Sequence, residues 1–201
     1  MSSNIHKDVI DRVVNLMYEE EVNTKLILSI LLNEDNQDRV FSSKTLRRVV
    51  DSAVETDNYS VFLYVIGKYA SNLKAEFIHS FLRASVNSCM LLHYLDNIEN
   101  EEEVINSLDA DGNTPLMIAG EENDSPDIFY ILLKRGADIS IENGDEEDIF
   151  QILSKEPVDN EEKLDILYLM KTKSFKESLP FISREVSDKY KDLEGLPKKL
   201  L

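Results

Sequence analysis

Between Asp109 and Asn143 the chain reads D-A-D-G-N-T-P-L-M-I-A-G, then a short polar loop, then D-I-F-Y-I-L-L-K-R-G-A-D-I. Nearly every residue here dictates a local step. Gly112 permits a tight turn, because it carries no Cβ to obstruct a left-handed backbone. Thr114 stands where a side-chain oxygen caps a helix. Pro115 fits the first helical turn, where its missing N–H costs nothing. Leu116 and Ala119 face inward, and Ala119 is small where two helices approach. Gly136 ends a second helix in the left-handed conformation, with Ala137 packed beneath. The unit is therefore turn, helix, loop, helix, turn. Two helices this short cannot bury their apolar faces alone, so the unit demands stacked neighbours.

The rest of the chain supplies them. Ile10, Val13, Val14 and Met17 recur at helical spacing, and Leu26, Ile27, Ile30 and Leu31 follow after a polar link. Leu46, Val49, Val50 and Ala53 precede V-F-L-Y-V-I-G-K-Y-A at 61–70. Phe77, Ile78, Phe81, Leu82 and Ala84 form a third first helix. Met90, Leu91, Leu92, Tyr94 and Leu95 form its partner. Ile149, Phe150, Ile152 and Leu153 lead to D-I-L-Y-L-M at 165–170, which lines up with D-I-F-Y-I-L at 127–132. Successive second helices end near Leu32, Ile66, Leu95, Leu133 and Met170, in steps of 34, 29, 38 and 37 residues.

The segment 109–143 resembles one ankyrin repeat: T-P-L after the turn, a second helix ending in L-L, then G-A-D. The step lengths scatter around that family's period of roughly 33 residues. The resemblance implies an all-α fold, an ankyrin-type solenoid of about five helix pairs with short turns. The expected organisation is a single domain over 1–201. Its pairs lie near 8–32, 45–70, 76–95, 109–140 and 146–172, with a capping segment at 179–201. Several positions depart from the pattern. Met117 replaces the family's His, so the usual ties between neighbouring tips cannot form through that side chain. Gly120 replaces a helical Ala, at a cost of about 1 kcal/mol if interior. Asn123 takes the place of a helix-ending Gly. In the fifth pair the T-P-L position reads E-E-D, and no G-A-D follows Met170. A stack of modest stability follows, less regular at 144–162 than elsewhere.

Charge narrows the function. The net charge is −17. Residues 96–165 hold 22 acidic and 4 basic side chains, whereas residues 166–201 hold 5 acidic and 8 basic. A negative field of this kind repels phosphate backbones and anionic lipids, so neither nucleic acid nor a membrane is the expected partner. It attracts a Lys/Arg-rich protein segment, or it serves only to keep the molecule soluble. No run of about 18 or more apolar residues exists, so no membrane span is expected. The start lacks a secretory pattern, and Cys89 is the sole cysteine. Both features favour a reducing compartment, cytoplasmic or nuclear.

Chemistry is sparse. Cys89 and His93 share a helix face, but a structural zinc needs four ligands. Asp109, Asp111 and Asn113 have the spacing of a calcium loop's first ligands, yet T-P-L-M-I-A follows and leaves no room for the remainder. No phosphate-cradling Gly loop and no nucleophile elbow occurs. No catalytic residue, metal or cofactor is expected, and the chain reads as a non-catalytic protein–protein interaction module.

The family's partners usually lie on the concave face, formed by the tips and the outward side of the first helices. Carried over to this chain, the resemblance selects Asp109, Asp111 and Asn113 at one tip. It selects Ile118, Glu121 and Glu122 on the first helix. Glu142, Asp145, Glu146 and Glu147 form the next tip. Ile118 or Met117 would serve as an apolar anchor. The alternative is a structural adaptor subunit of a larger complex that uses the degenerate N-terminal pairs at 8–95; the chain is expected to be a monomer or a subunit of a hetero-complex. Degenerate repeats of this kind also occur in pathogen proteins that act on host proteins.

Overall fold

The computed structural model describes residues 2–19, 21–35, 41–73, 75, 77–84, 86–122, 125–155 and 161–171. Those residues form α-helices, one 3-10 turn and connecting loops, with no strand among them. The fold is all-α. The helices are α1 (Ser2–Met17), α2 (Thr24–Asp35), α3 (Ser43–Glu55), α4 (Tyr59–Tyr69), α5 (Phe77–Arg83), α6 (Ser88–Asn97), α7 (Glu101–Ile105), α8 (Pro115–Glu122), α9 (Pro126–Lys134), α10 (Ile149–Ser154) and α11 (Glu161–Lys171). Each apolar run read from the sequence carries a helix. The short α7 is an addition that periodicity did not reveal. It starts after Asn100, which sits in the left-handed region at φ 57°. The capping segment expected at 179–201, and Asn123, lie outside the described residues.

The chain divides into two compact units. The first comprises Met1–Phe77 and Ala84–Glu99. Within it α3 packs on α1 and α4, α2 on α1 and α4, and α6 on α4. Ile10, Val13 and Met17 of α1 are buried, as are Ile27 and Leu31 of α2, and Val49, Val50 and Ala53 of α3. These are the helical periodicities of the sequence turned into one core. Side-chain caps fix the helix starts: Ser42 accepts from the Thr45 amide, Asn58 from Val61 and Asn87 from Met90. Tyr94 is buried edge-on against Phe77, and that burial pushes its phenol well above the usual range.

The second unit comprises Ile78–Arg83 and Asn100–Leu201. Here α8 packs on α9 and α10, and α11 packs on α9 and α10. Gly120 is where α8 and α10 approach. A Cβ there would stand 3.0 Å from Ile149 Cδ1 and 3.1 Å from Leu153 Cδ2. Its main chain is also used, because buried Lys163 of α11 donates from Nζ to the Gly120 carbonyl at 2.6 Å. A cation on a carbonyl in the last turn of a helix satisfies an otherwise orphaned acceptor and opposes the helix dipole. Gly120 is thus a packing residue, not only a helix-weakening one.

Candidate functional site

Two turns in the second unit share one construction. In the first, the Asp109 N–H donates to the Asn113 carbonyl at 3.0 Å and the Gly112 N–H to the Asp109 carbonyl at 3.2 Å. Asp109 Oδ1 accepts from the Asp111 and Asn113 amides at 3.0 and 2.8 Å. In the second, Asn143 N–H donates to the Glu147 carbonyl and Glu146 N–H to the Asn143 carbonyl, both at 3.0 Å. Asn143 Oδ1 accepts from the Asp145 and Glu147 amides at 3.0 and 3.1 Å. Each bond of one turn recurs in the other 34 residues later. The left-handed position is Gly112 at φ 81° in the first turn and Glu146 at φ 61° in the second.

The turns are tied to each other. The Gly144 N–H donates to the Asp111 carbonyl at 2.9 Å, and Asn143 Nδ2 donates to Asn113 Oδ1 at 3.0 Å. A Cβ on Gly112 would lie 2.7 Å from Gly144 N, and one on Gly144 would lie 2.7 Å from the Asp111 oxygen. Only glycine fits at both. The absence of a histidine at 117 therefore does not leave these tips unconnected. Met117 instead places its sulfur 3.4 Å from the Thr114 N–H, while Thr114 Oγ1 accepts from the Met117 amide at 3.3 Å.

The same 34-residue offset aligns the first helices. Asp148 stands where Thr114 does and caps α10, and Gln151 closes a capping box back onto the Asp148 amide. The sequence reading had put E-E-D at the T-P-L position. The equivalent triplet is Asp148-Ile149-Phe150, two residues further on, because the capping side chain marks the register. The turn and α10 are as regular as their counterparts, contrary to the expectation for 144–162 as far as Lys155. Residues 156–160 lie outside the described residues.

The expected site residues separate into three groups. Ile118 is buried, 1% exposed, and so is Met117. Neither can be an exposed anchor, because α8 is covered by α9 on one side and α10 on another. Four more residues are engaged within the unit. Asp109 and Glu122 both hold Arg83 of α5, at 2.6 Å to Oδ2 and 3.1 Å to Oε1. Glu147 pairs with Lys155, and Asn113 bonds Asn143. The Asp109 side chain is only 9% exposed. Burial pushes its carboxyl up, but the Arg83 hydrogen bond, the two backbone N–H groups and the Arg83 charge together hold it below the ordinary range. The carboxylates of the remaining five, Asp111, Glu121, Glu142, Asp145 and Glu146, are exposed and make no hydrogen bond or ion pair among the described residues, although the Lys155 charge acts on Glu121 and Asp145.

A groove of about 590 Å³ opens at the turns, lined by Leu108, Asp109, Ala110, Asp111, Gly112, Gly144 and Asp145. Sequence reasoning missed Leu108, which is half exposed, and the role of Arg83. No set of three His, Cys, Asp or Glu among the described residues is arranged to hold a metal ion. His93 Nε2 instead lies 3.3 Å from the Leu63 carbonyl, and Cys89 is exposed. His79 is buried with Nε2 3.0 Å from the Ser107 carbonyl. No described helix is long and apolar enough to cross a membrane.

Comparison with known proteins bears out the resemblance read from the residues. Residues 111–144 match the family model for the ankyrin repeat. The match runs from the left-handed turn of one tip to the glycine of the next. Searches of the curated proteins and of the solved structures returned no match. A repeat of this type implies a protein–protein interaction module, and such repeats are typically non-catalytic.

Proposed function

We propose that this chain, whose residues 111–144 form an ankyrin repeat, is a non-catalytic binding module that receives a Lys/Arg-rich segment of a partner protein on its acidic tips. The observation that carries this reading is the group of five exposed carboxylates at Asp111, Glu121, Glu142, Asp145 and Glu146 that make no hydrogen bond or ion pair among the described residues, beside carboxylates that are engaged. Among the described residues the acids that serve the fold are held by hydrogen bonds or ion pairs within the unit, whereas these five keep their carboxylates in solvent, with only the longer-range charge of Lys155 near Glu121 and Asp145. Their contribution falls mainly on association rate and partner choice, since exposed ion pairs add little affinity one at a time. A reducing compartment, cytoplasmic or nuclear, suits a chain with one exposed cysteine.

The test is a pull-down from lysate with the intact chain beside a variant carrying Asn or Gln at those five positions, both checked for folding by circular dichroism. Loss of a basic partner with the variant supports the reading. Retention of the same partners assigns the acid to solubility.

A second reading is favoured by a different observation. Tyr18, Val22, Leu32, Tyr59 and Leu92 are large exposed hydrophobics, and all five belong to the first unit. An adaptor that joins a hetero-complex through residues 8–95 would use such side chains, and its association would be insensitive to salt.

A further inference from the structure

The groove at the turns is built for more than diffuse attraction. Its three aspartates are not equivalent. Asp109 is committed, with Oδ1 on two backbone amides and Oδ2 on Arg83. Asp111 and Asp145 are exposed, and neither carboxylate makes a hydrogen bond or an ion pair among the described residues; Lys155, which is bonded to Glu147, acts on Asp145 only through its charge. Beside them lies Leu108, 50% exposed, on the same lining. Gly112 and Gly144 contribute backbone without side chains, so the groove stays open between the acids.

Different cations would use this lining differently. A calcium ion takes six to eight oxygens and gains nothing from an exposed leucine. A basic side chain has both parts, an apolar stem that seeks cover and a charged head that stays wet. We infer that the groove receives one arginine or lysine side chain of a partner protein, its stem on Leu108 and its head against Asp111 and Asp145. This inference rests on reading the acidic tips as the binding surface, and it adds the position and chemistry of the anchor. The cost of ordering the site is already met by the fold. The Gly144–Asp111 and Asn143–Asn113 bonds hold the two turns together before anything binds.

The experiment is an amide chemical-shift titration of the full chain with N-acetyl-arginine methylamide, against the isosteric uncharged citrulline derivative. The expected result is movement at Leu108, Asp111, Gly112, Gly144 and Asp145 with the arginine probe alone. Asp111→Asn with Asp145→Asn should weaken it roughly tenfold. Leu108→Ser should weaken it too, at unchanged net charge. Equal shifts with citrulline, undiminished binding to the double variant, or shifts spread evenly over Glu101, Glu102, Glu103 and Glu121 would overturn the anchor. A parallel titration with an arginine-rich peptide separates the two readings. If the peptide binds and neutralising Glu121, Glu142 and Glu146 weakens it, while the arginine probe leaves the groove unmoved, only the anchor falls. If neither probe binds, both fall.

Discussion

At Gly112 a hydrogen atom stands where any other residue would drive a carbon into the neighbouring turn. Gly112→Ala and Gly144→Ala should therefore each cost about 1–3 kcal/mol, read as a lower midpoint in thermal unfolding. Gly136→Ala is the control. Its φ of 98° is also left-handed, but nothing lies within 4 Å of an added Cβ, so the loss should stay near about 1 kcal/mol. Glu146 occupies the Gly112 position of the next turn, and Glu146→Gly should be neutral or stabilising by up to about 1 kcal/mol. Asp109 gives a pH-dependent case. Its folded carboxyl titrates below the ordinary range, so the stability it adds is present above the unfolded pKa and is lost as pH falls through the folded one. Asp109→Asn should cost about 1–3 kcal/mol in urea unfolding at pH 7, and the gap to wild type should close at strongly acid pH. A constant gap would contradict the assignment. The scaffold roles at this scale were legible in advance for Gly112, Thr114, Pro115 and Gly136, because turns and caps are local chemistry. Arg83 was not legible. Its partners lie 26 and 39 residues away, and no spacing rule joins them.

Among the elements, α8 explains why one expected contact was misplaced. Residues 115–120 are all buried, so this helix has no apolar residue left on an outward side. Periodicity finds a helix with one covered face. It does not find one packed between two neighbours, so nothing in the pattern opposes the outward place that the resemblance gives Ile118. The register of α10 was misread for a related cause. The sequence reading places the T-P-L position at E-E-D, whereas the cap at Asp148 is what repeats Thr114. Asp148→Ala should cost about 1 kcal/mol, as measured by denaturant midpoint, and Gln151→Ala less. Lys163 joins α11 to α8 from within the core. Its replacement by Met should cost about 1.5–3 kcal/mol, because the Gly120 carbonyl loses a charged donor where water is scarce. A neutral effect would show that water reaches that carbonyl.

For the whole molecule the relevant quantity is the distribution of charge. Residues 96–165 carry 22 acidic and 4 basic side chains, in a chain whose net charge is −17. Association of an arginine-rich peptide should slow by roughly tenfold or more between low and physiological salt, with dissociation changed much less, as stopped-flow measurements would report. Equal rates at both salts would leave the exposed hydrophobics of the first unit as the better candidates. Composition made this charge visible, but not which acids are spent on the fold, since that depends on where each cation sits. The bond from Gly144 to the Asp111 carbonyl carries one more consequence. It is main chain to main chain, so the distance between the two turns does not depend on the side chains at 111 or 145. Those positions are free to drift in sequence while their spacing stays constant. Recognition on this surface can be rewritten one residue at a time, and the fold beneath it need not change.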